Sequence, residues 1–207
     1  MTDTHVWYAA YGSNLSAERF GVYLTGGPIP FSTTGRVQDG ARNPAPATAN
    51  QSFTLERSLL FTGSAKQWGG GGSAIIDTDL NPVTPTLSRV YRITLEQFED
   101  VFVQENGLDA PVPFDLGALI AGPIDLSHRK YGRVELVGEI DSEPVLTFCS
   151  PERPTGLNPA DASYLRVMGI GLMETYELSA RGAADYLAMR PGNAGFHEPA
   201  ELAITLA

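Results

Sequence analysis

The sequence predicts an α+β fold, with strands in series, helices between them, and a mixed sheet or small β-barrel at the centre. Three observations carry this expectation. Short apolar runs rich in β-branched and aromatic residues recur along the chain, as at residues 6–11 and 145–149. Stretches of helical periodicity with recognisable caps stand between them. Connections are mostly short, and the glycine-rich bend at residues 69–72 lets the backbone turn sharply before a strand.

Taken in order, residues 6–11 read as a buried strand ending at Gly12, and 16–24 as a helix with Ser16 as cap and Glu18 in its first turn. Residues 26–51 change character: Gly, Pro, Ala, Asn and Thr dominate, which predicts a long loop insertion holding at most one strand. Strands follow at 58–61, 73–77 and 89–93, a helix at 95–105, then strands at 133–139 and 145–149. A helix is expected from Pro159, with Asn158 as its cap. Another starts near Ser179 and stops at Pro191-Gly192. No internal repeat or dividing linker is visible, so residues 1–207 are expected to form a single domain carrying the 26–51 insertion.

Composition narrows the function classes. Apolar residues make up 43% and charged residues 18%, enough for an ordinary core. The net charge of −10 and the lack of a Lys/Arg cluster argue against a nucleic-acid partner and lean towards small neutral or cationic ligands. No apolar run is long enough to span a membrane, and the N-terminus has neither a basic segment nor an apolar one behind it, so no membrane partner and a cytoplasmic location are expected. Cys149 is the single cysteine and sits in a strand-like run, as an inert core thiol. His5, His128 and His197 are scattered without ligand spacing, so neither a metal nor an organic cofactor is expected.

The helix at 95–105 holds the most informative local pattern. Thr94 and Gln97 fit a capping box. Leu95, Phe98, Val101 and Phe102 recur at spacings of three and four, marking the face turned to the core, and the next position of that stripe is Glu105. Glu96, Glu99, Asp100 and Gln104 fall on the face where charges are cheap. A carboxylate drawn from water must be paired or give up its charge, which suits a proton-transfer group; the alternative is that the helix ends there and Glu105 reaches solvent. The segment Tyr11-Gly12-Ser13-Asn14-Leu15 leaves a strand and enters a helix. Its glycine and its backbone N–H groups make either a seat for a carboxylate or an ordinary turn.

The stretch Trp7-Tyr8-Ala9-Ala10-Tyr11-Gly12-Ser13-Asn14-Leu15 resembles the N-terminal signature of γ-glutamylcyclotransferase-like proteins. Residues 68–76 resemble that family's glycine-rich lead into a strand, 90–105 the segment with its glutamate, and 164–169 the late helix that supplies a tyrosine. The four segments stand in the family's order. The resemblance implies a small mixed β-barrel flanked by helices, with a γ-glutamyl small molecule as substrate. It also implies that Tyr11, Gly12, Ser13, Asn14 and Leu15 hold the glutamyl portion, that Glu105 transfers the proton and that Tyr164 lines the pocket. The implied reaction releases 5-oxoproline and an amine or amino acid by intramolecular aminolysis, without a cofactor. The family often has an L-D-x-x-E-G pattern around its glutamate, where this chain has Phe102 for the aspartate and Asn106 for the glycine. That departure, with the long insertion, keeps two alternatives open: a non-catalytic small-molecule-binding member of the fold, and a related enzyme that removes a γ-glutamyl group from a larger metabolite.

Overall fold

A computed structural model describes residues 4–32, 34–126 and 130–207; His128 and the first three residues lie outside the described residues. The central strand is β1 (His5–Ala10), buried along nearly its whole length. It pairs antiparallel with β7 (Thr86–Thr94) and parallel with β10 (Glu143–Cys149). β4 (Ala49–Leu55) lies outside β7, while β9 (Arg133–Ile140) and the two-residue β8 (Ile124–Asp125) extend the other side, giving the order β4-β7-β1-β10-β9-β8. Two hairpins stand apart: β2 (Gly27–Pro28) with β3 (Val37–Gln38), and β5 (Arg57–Thr62) with β6 (Ser73–Leu80).

The continuous apolar run of β1 follows from its place in the sheet. Successive side chains point to opposite faces, and both faces are covered. Val6, Tyr8 and Ala10 belong to the apolar cluster that also takes in buried residues of α1 (Ala17–Thr25), α2 (Leu95–Asn106) and α3 (Leu116–Ala121). Trp7, Ala9 and Tyr11 belong to the apolar cluster that also takes in buried residues of α4 (Ala162–Tyr176), α5 (Ala180–Ala188) and α6 (Pro199–Leu206).

The α+β class is as expected, but the sheet is not closed into a barrel. Closure would require the edge strands β4 and β8 to pair. β8 is only two residues long, and the chain leaving β4 turns at Glu56 into β5, whose backbone groups go to β6. The 26–51 segment holds more structure than one strand: β2, β3 and the start of β4 lie in it. The helix expected at Pro159 begins at Ala162, with Asp161 as the cap that accepts from Ser163 N at 2.8 Å. Asn158 is engaged elsewhere: its amide side chain donates to Gly63 O at 2.7 Å and its backbone N–H to Phe61 O at 3.0 Å, so the chain runs alongside β5 for three more residues. On α2 the capping box of Thr94 and Gln97 is present. Asp100, expected on the charged face, is instead buried and held by Arg42 Nε and Arg42 N, each at 2.8 Å, because the 26–51 segment packs over that side of the helix.

Candidate functional site

Where β1 ends, Gly12 leads into a 3-10 turn, Ser13–Leu15, and Ser16 caps α1 by accepting from Arg19 N. The turn is pinned from β7: Tyr91 Oη donates to Asn14 O at 2.8 Å, and Arg89 Nη1 donates to Leu15 O at 3.3 Å and to Glu174 Oε2 at 2.7 Å. α4 lies so close that a Cβ on Gly171 would stand 2.2 Å from the Leu15 carbonyl carbon. A backbone held by this many contacts is preorganised.

This turn forms one wall of a cavity of about 560 Å³. Among the residues expected at the site, Tyr11, Gly12, Ser13, Asn14, Glu105 and Tyr164 all line it. Leu15 does not: it is fully buried in the core beneath the turn and serves as an anchor. Glu105 is half-buried at the end of the α2 stripe, and its Oε1 accepts from Asn14 Nδ2 at 2.8 Å. The carboxylate on the apolar stripe is thus neither fully buried nor without a partner: it keeps some exposure and accepts from the turn. Gly12 is required by proximity, since a Cβ there would lie 2.8 Å from Tyr164 Oη. Tyr164 Oη accepts from Ala74 N at 3.3 Å, which joins α4 to β6 behind the glycine-rich bend. Tyr11 Oη donates to Phe148 O at 2.7 Å, so its hydroxyl is committed to β10.

Sequence reasoning missed Tyr8, Arg19, Tyr23, Gln38, Gln104 and Tyr131, which also line the cavity. Gln38 comes from the 26–51 segment and donates to Gln104 Oε1 at 2.8 Å, so that segment builds part of the wall. Arg19 was legible by the argument that found Glu105, because it sits one helical turn from Tyr23 on the buried side of α1. Burial pushes the phenols of Tyr8, Tyr23, Tyr131 and Tyr164 above their ordinary value, and the Glu105 charge adds to this for each. These hydroxyls therefore stay protonated near neutral pH and can donate. The ionic lining runs against the composition: Arg19, Arg36 and Lys66 stand against the one carboxylate, Glu105, in a chain of net charge −10. Burial likewise raises the Cys149 thiol, in keeping with an inert core residue. Among the described residues no group of three or more His, Cys, Asp or Glu side chains is placed to hold a metal ion.

No protein-family model matches the sequence. The chain is similar to histone deacetylase 5 of Arabidopsis thaliana, 33% identical over an alignment 212 positions long, gaps counted, that covers 90% of this chain and 31% of that protein. It thus spans about a third of the length of the curated relative it matches. Among solved structures, it resembles the crystal structure of an uncharacterized protein from Homo sapiens (TM-score 0.52, 17% identity, 99% of each chain). It also resembles a gamma-glutamyl cyclotransferase (TM-score 0.53, 15% identity, 98% of each chain).

Proposed function

We propose that this chain, which has the γ-glutamyl cyclotransferase fold, is a cyclotransferase acting on a small γ-glutamyl amide. The observation that carries the reading is the pairing of Glu105 with Asn14 on the cavity wall, which joins the end of α2 to the turn after β1 beside a space sized for a small molecule. In this reading the turn at Gly12–Asn14 holds the glutamyl portion. The α-ammonium must first lose a proton, at an ordinary value of about 8. Glu105 takes it, the freed amine attacks the γ-carbonyl carbon, and a five-membered lactam closes. The amide C–N bond breaks as Glu105 returns the proton to the departing nitrogen, and the ring nitrogen gives up its second proton to the carboxylate so freed, which passes it to water. The products are 5-oxoproline and a free amine. Tyr8 and Tyr164, whose hydroxyls accept from Asn14 Nδ2 and Ala74 N, keep their own protons to donate to the oxyanion that develops at the carbonyl.

The Asp-to-Phe departure does not argue for lost chemistry on this reading. Phe102 packs against Phe114 and Phe148 in the aromatic core, outside the cavity wall. The deacetylase name belongs to a protein about three times as long.

The test is 5-oxoproline release, followed by mass spectrometry, from a panel of γ-glutamyl dipeptides and amines. Glu105→Gln is expected to lose about 10²- to 10⁴-fold in turnover while keeping its circular dichroism spectrum. Ligand binding without release by the folded wild-type protein would favour a non-catalytic binding module instead.

A further inference from the structure

Where the chain enters β9, two successive residues are fastened to β6. Tyr131 Oη donates to Ala74 O at 2.7 Å. Lys130 Nζ reaches Thr62 O at 3.0 Å, Ser73 O at 2.6 Å and Ser73 Oγ at 2.7 Å. Thr62 and Ser73 are register partners in the β5–β6 hairpin, so the amine sits against one rung of that ladder. The approach to Ser73 is tightly packed: a Cβ on Gly72 would stand 2.1 Å from Asn158 O. Ser73 also lines the cavity, so it meets the amine and the cavity at once. The partners of Nζ are all neutral oxygens, and they fit two protonation states. An ammonium donates to each of them. A neutral amine gives its two hydrogens to the two carbonyl oxygens, which only accept, and its lone pair accepts from the Ser73 hydroxyl. Losing the proton thus costs no hydrogen bond and reverses only the one to Ser73. Burial favours the neutral amine, bringing the ammonium down to about 7 against the pull of the Glu105 charge.

We propose that Lys130 and Ser73 are a base and nucleophile pair that gives the cavity a second activity, the hydrolysis of small carboxylic esters through an acyl group carried on Ser73 Oγ. A serine hydroxyl is a weak nucleophile until an adjacent base takes its proton, and a lysine can serve as that base. Nζ accepts the hydroxyl proton as Oγ attacks the ester carbonyl carbon. The bond to the alcohol oxygen breaks, and Nζ gives the proton to that oxygen. Water then attacks the acyl carbon on Ser73 and leaves a proton on Nζ. The Ser73 ester bond breaks, Oγ takes that proton back, and the free acid departs. One water is consumed, and one alcohol and one carboxylic acid are formed. The pair uses neither Glu105 nor Asn14, so this activity stands or falls apart from the cyclotransferase reading.

The test uses 4-nitrophenyl acetate, with wild type, Ser73→Ala and Lys130→Met side by side. Release of 4-nitrophenol is followed above the buffer blank, and acid-quenched samples are searched for acetyl-Ser73 by peptide mass spectrometry. Wild type is expected to release 4-nitrophenol and to carry the acetyl group on Ser73. Both variants are expected to lose about 10²-fold or more in rate. In wild type the rate is expected to climb with pH to about 7 and to level off above it, because the amine must be free of its proton. The titratable groups that act on the amine are Glu105 and Tyr131, whose ring centre lies 5.7 Å from Nζ. Burial raises the Tyr131 phenol, so it keeps its proton across this range. If Lys130→Met does not fold, Ser73→Ala, which removes a single oxygen, and the wild-type pH profile carry the test. No release by folded wild type, release by Ser73→Ala or folded Lys130→Met at the wild-type rate, or a rate that climbs with pH without levelling would overturn the proposal.

Discussion

At the scale of single residues, Asn14 does two things at once. Its backbone carbonyl accepts from Tyr91, which sets the turn, and its side chain donates to Glu105, which joins the turn to α2. Replacing it by alanine keeps the first contact and removes the second. Asn14→Ala is expected to lower 5-oxoproline release about 10- to 100-fold, by freeing the carboxylate, with little change in the unfolding midpoint; steady-state kinetics beside thermal unfolding check both halves. Glu105 itself was legible in the sequence, because a charge that continues an apolar helical stripe is a local contradiction that needs a partner. Tyr8 was not legible. On a strand covered on both faces every residue reads as buried, and nothing in the local sequence separates the face that opens onto a cavity from the face that does not.

Among the elements, α2 follows its sequence closely, since cap, stripe and C-terminal glycine all act within one segment. α4 does not. Its start is moved by Asn158 bonding to Gly63 and Phe61, partners about ninety residues away in sequence, and no local pattern contains them. α4 also owes its position to glycines. At Gly171 an added methyl would collide with the backbone of Leu15 and Ser16, at 2.2 and 2.4 Å. Gly171→Ala is therefore expected to push α4 off the turn and destabilise the protein by about 1–3 kcal/mol, a typical overpacking cost. Chemical denaturation reads that loss. Release of 5-oxoproline is expected to fall with it, because Tyr164 and the turn separate.

Across the whole molecule, the net charge of −10 says little about the site, because charge is distributed unevenly in three dimensions. The same unevenness shapes stability against pH. Lys130 Nζ is held by Thr62 O at 3.0 Å, Ser73 O at 2.6 Å and Ser73 Oγ at 2.7 Å. Burial pushes its ammonium down to about 7, against the opposing pull of Glu105. An unfolded lysine titrates near 10.4, so above pH 7 the unfolded chain keeps a proton that the folded one has lost, and stability rises with pH. Below about 7 both forms are protonated and the burial penalty is fully in force. Cys149 works in the opposite direction once unfolded thiols ionise near 8.5, so the window for Lys130 is about pH 7 to 8.5. Urea unfolding is expected to gain about 1–2 kcal/mol across that window in wild type. The gain is expected to disappear in Lys130→Met, whatever the variant's absolute stability; an unchanged slope would place the lysine in water.

The sequence by itself determined the class of the fold, most element positions, the turn at Tyr11–Leu15 and the exceptional place of Glu105, because each of these is a contradiction or a preference expressed within about ten residues. Only the tertiary structure decided that the sheet stays open, that the 26–51 segment supplies Gln38 to the cavity wall, that Leu15 is an anchor, and that Arg19 and Tyr23 line the same cavity as the carboxylate. Those outcomes depend on contacts between segments far apart in the chain. Such contacts form by packing and by the satisfaction of buried polar groups, and they leave no periodicity in the local sequence to be read.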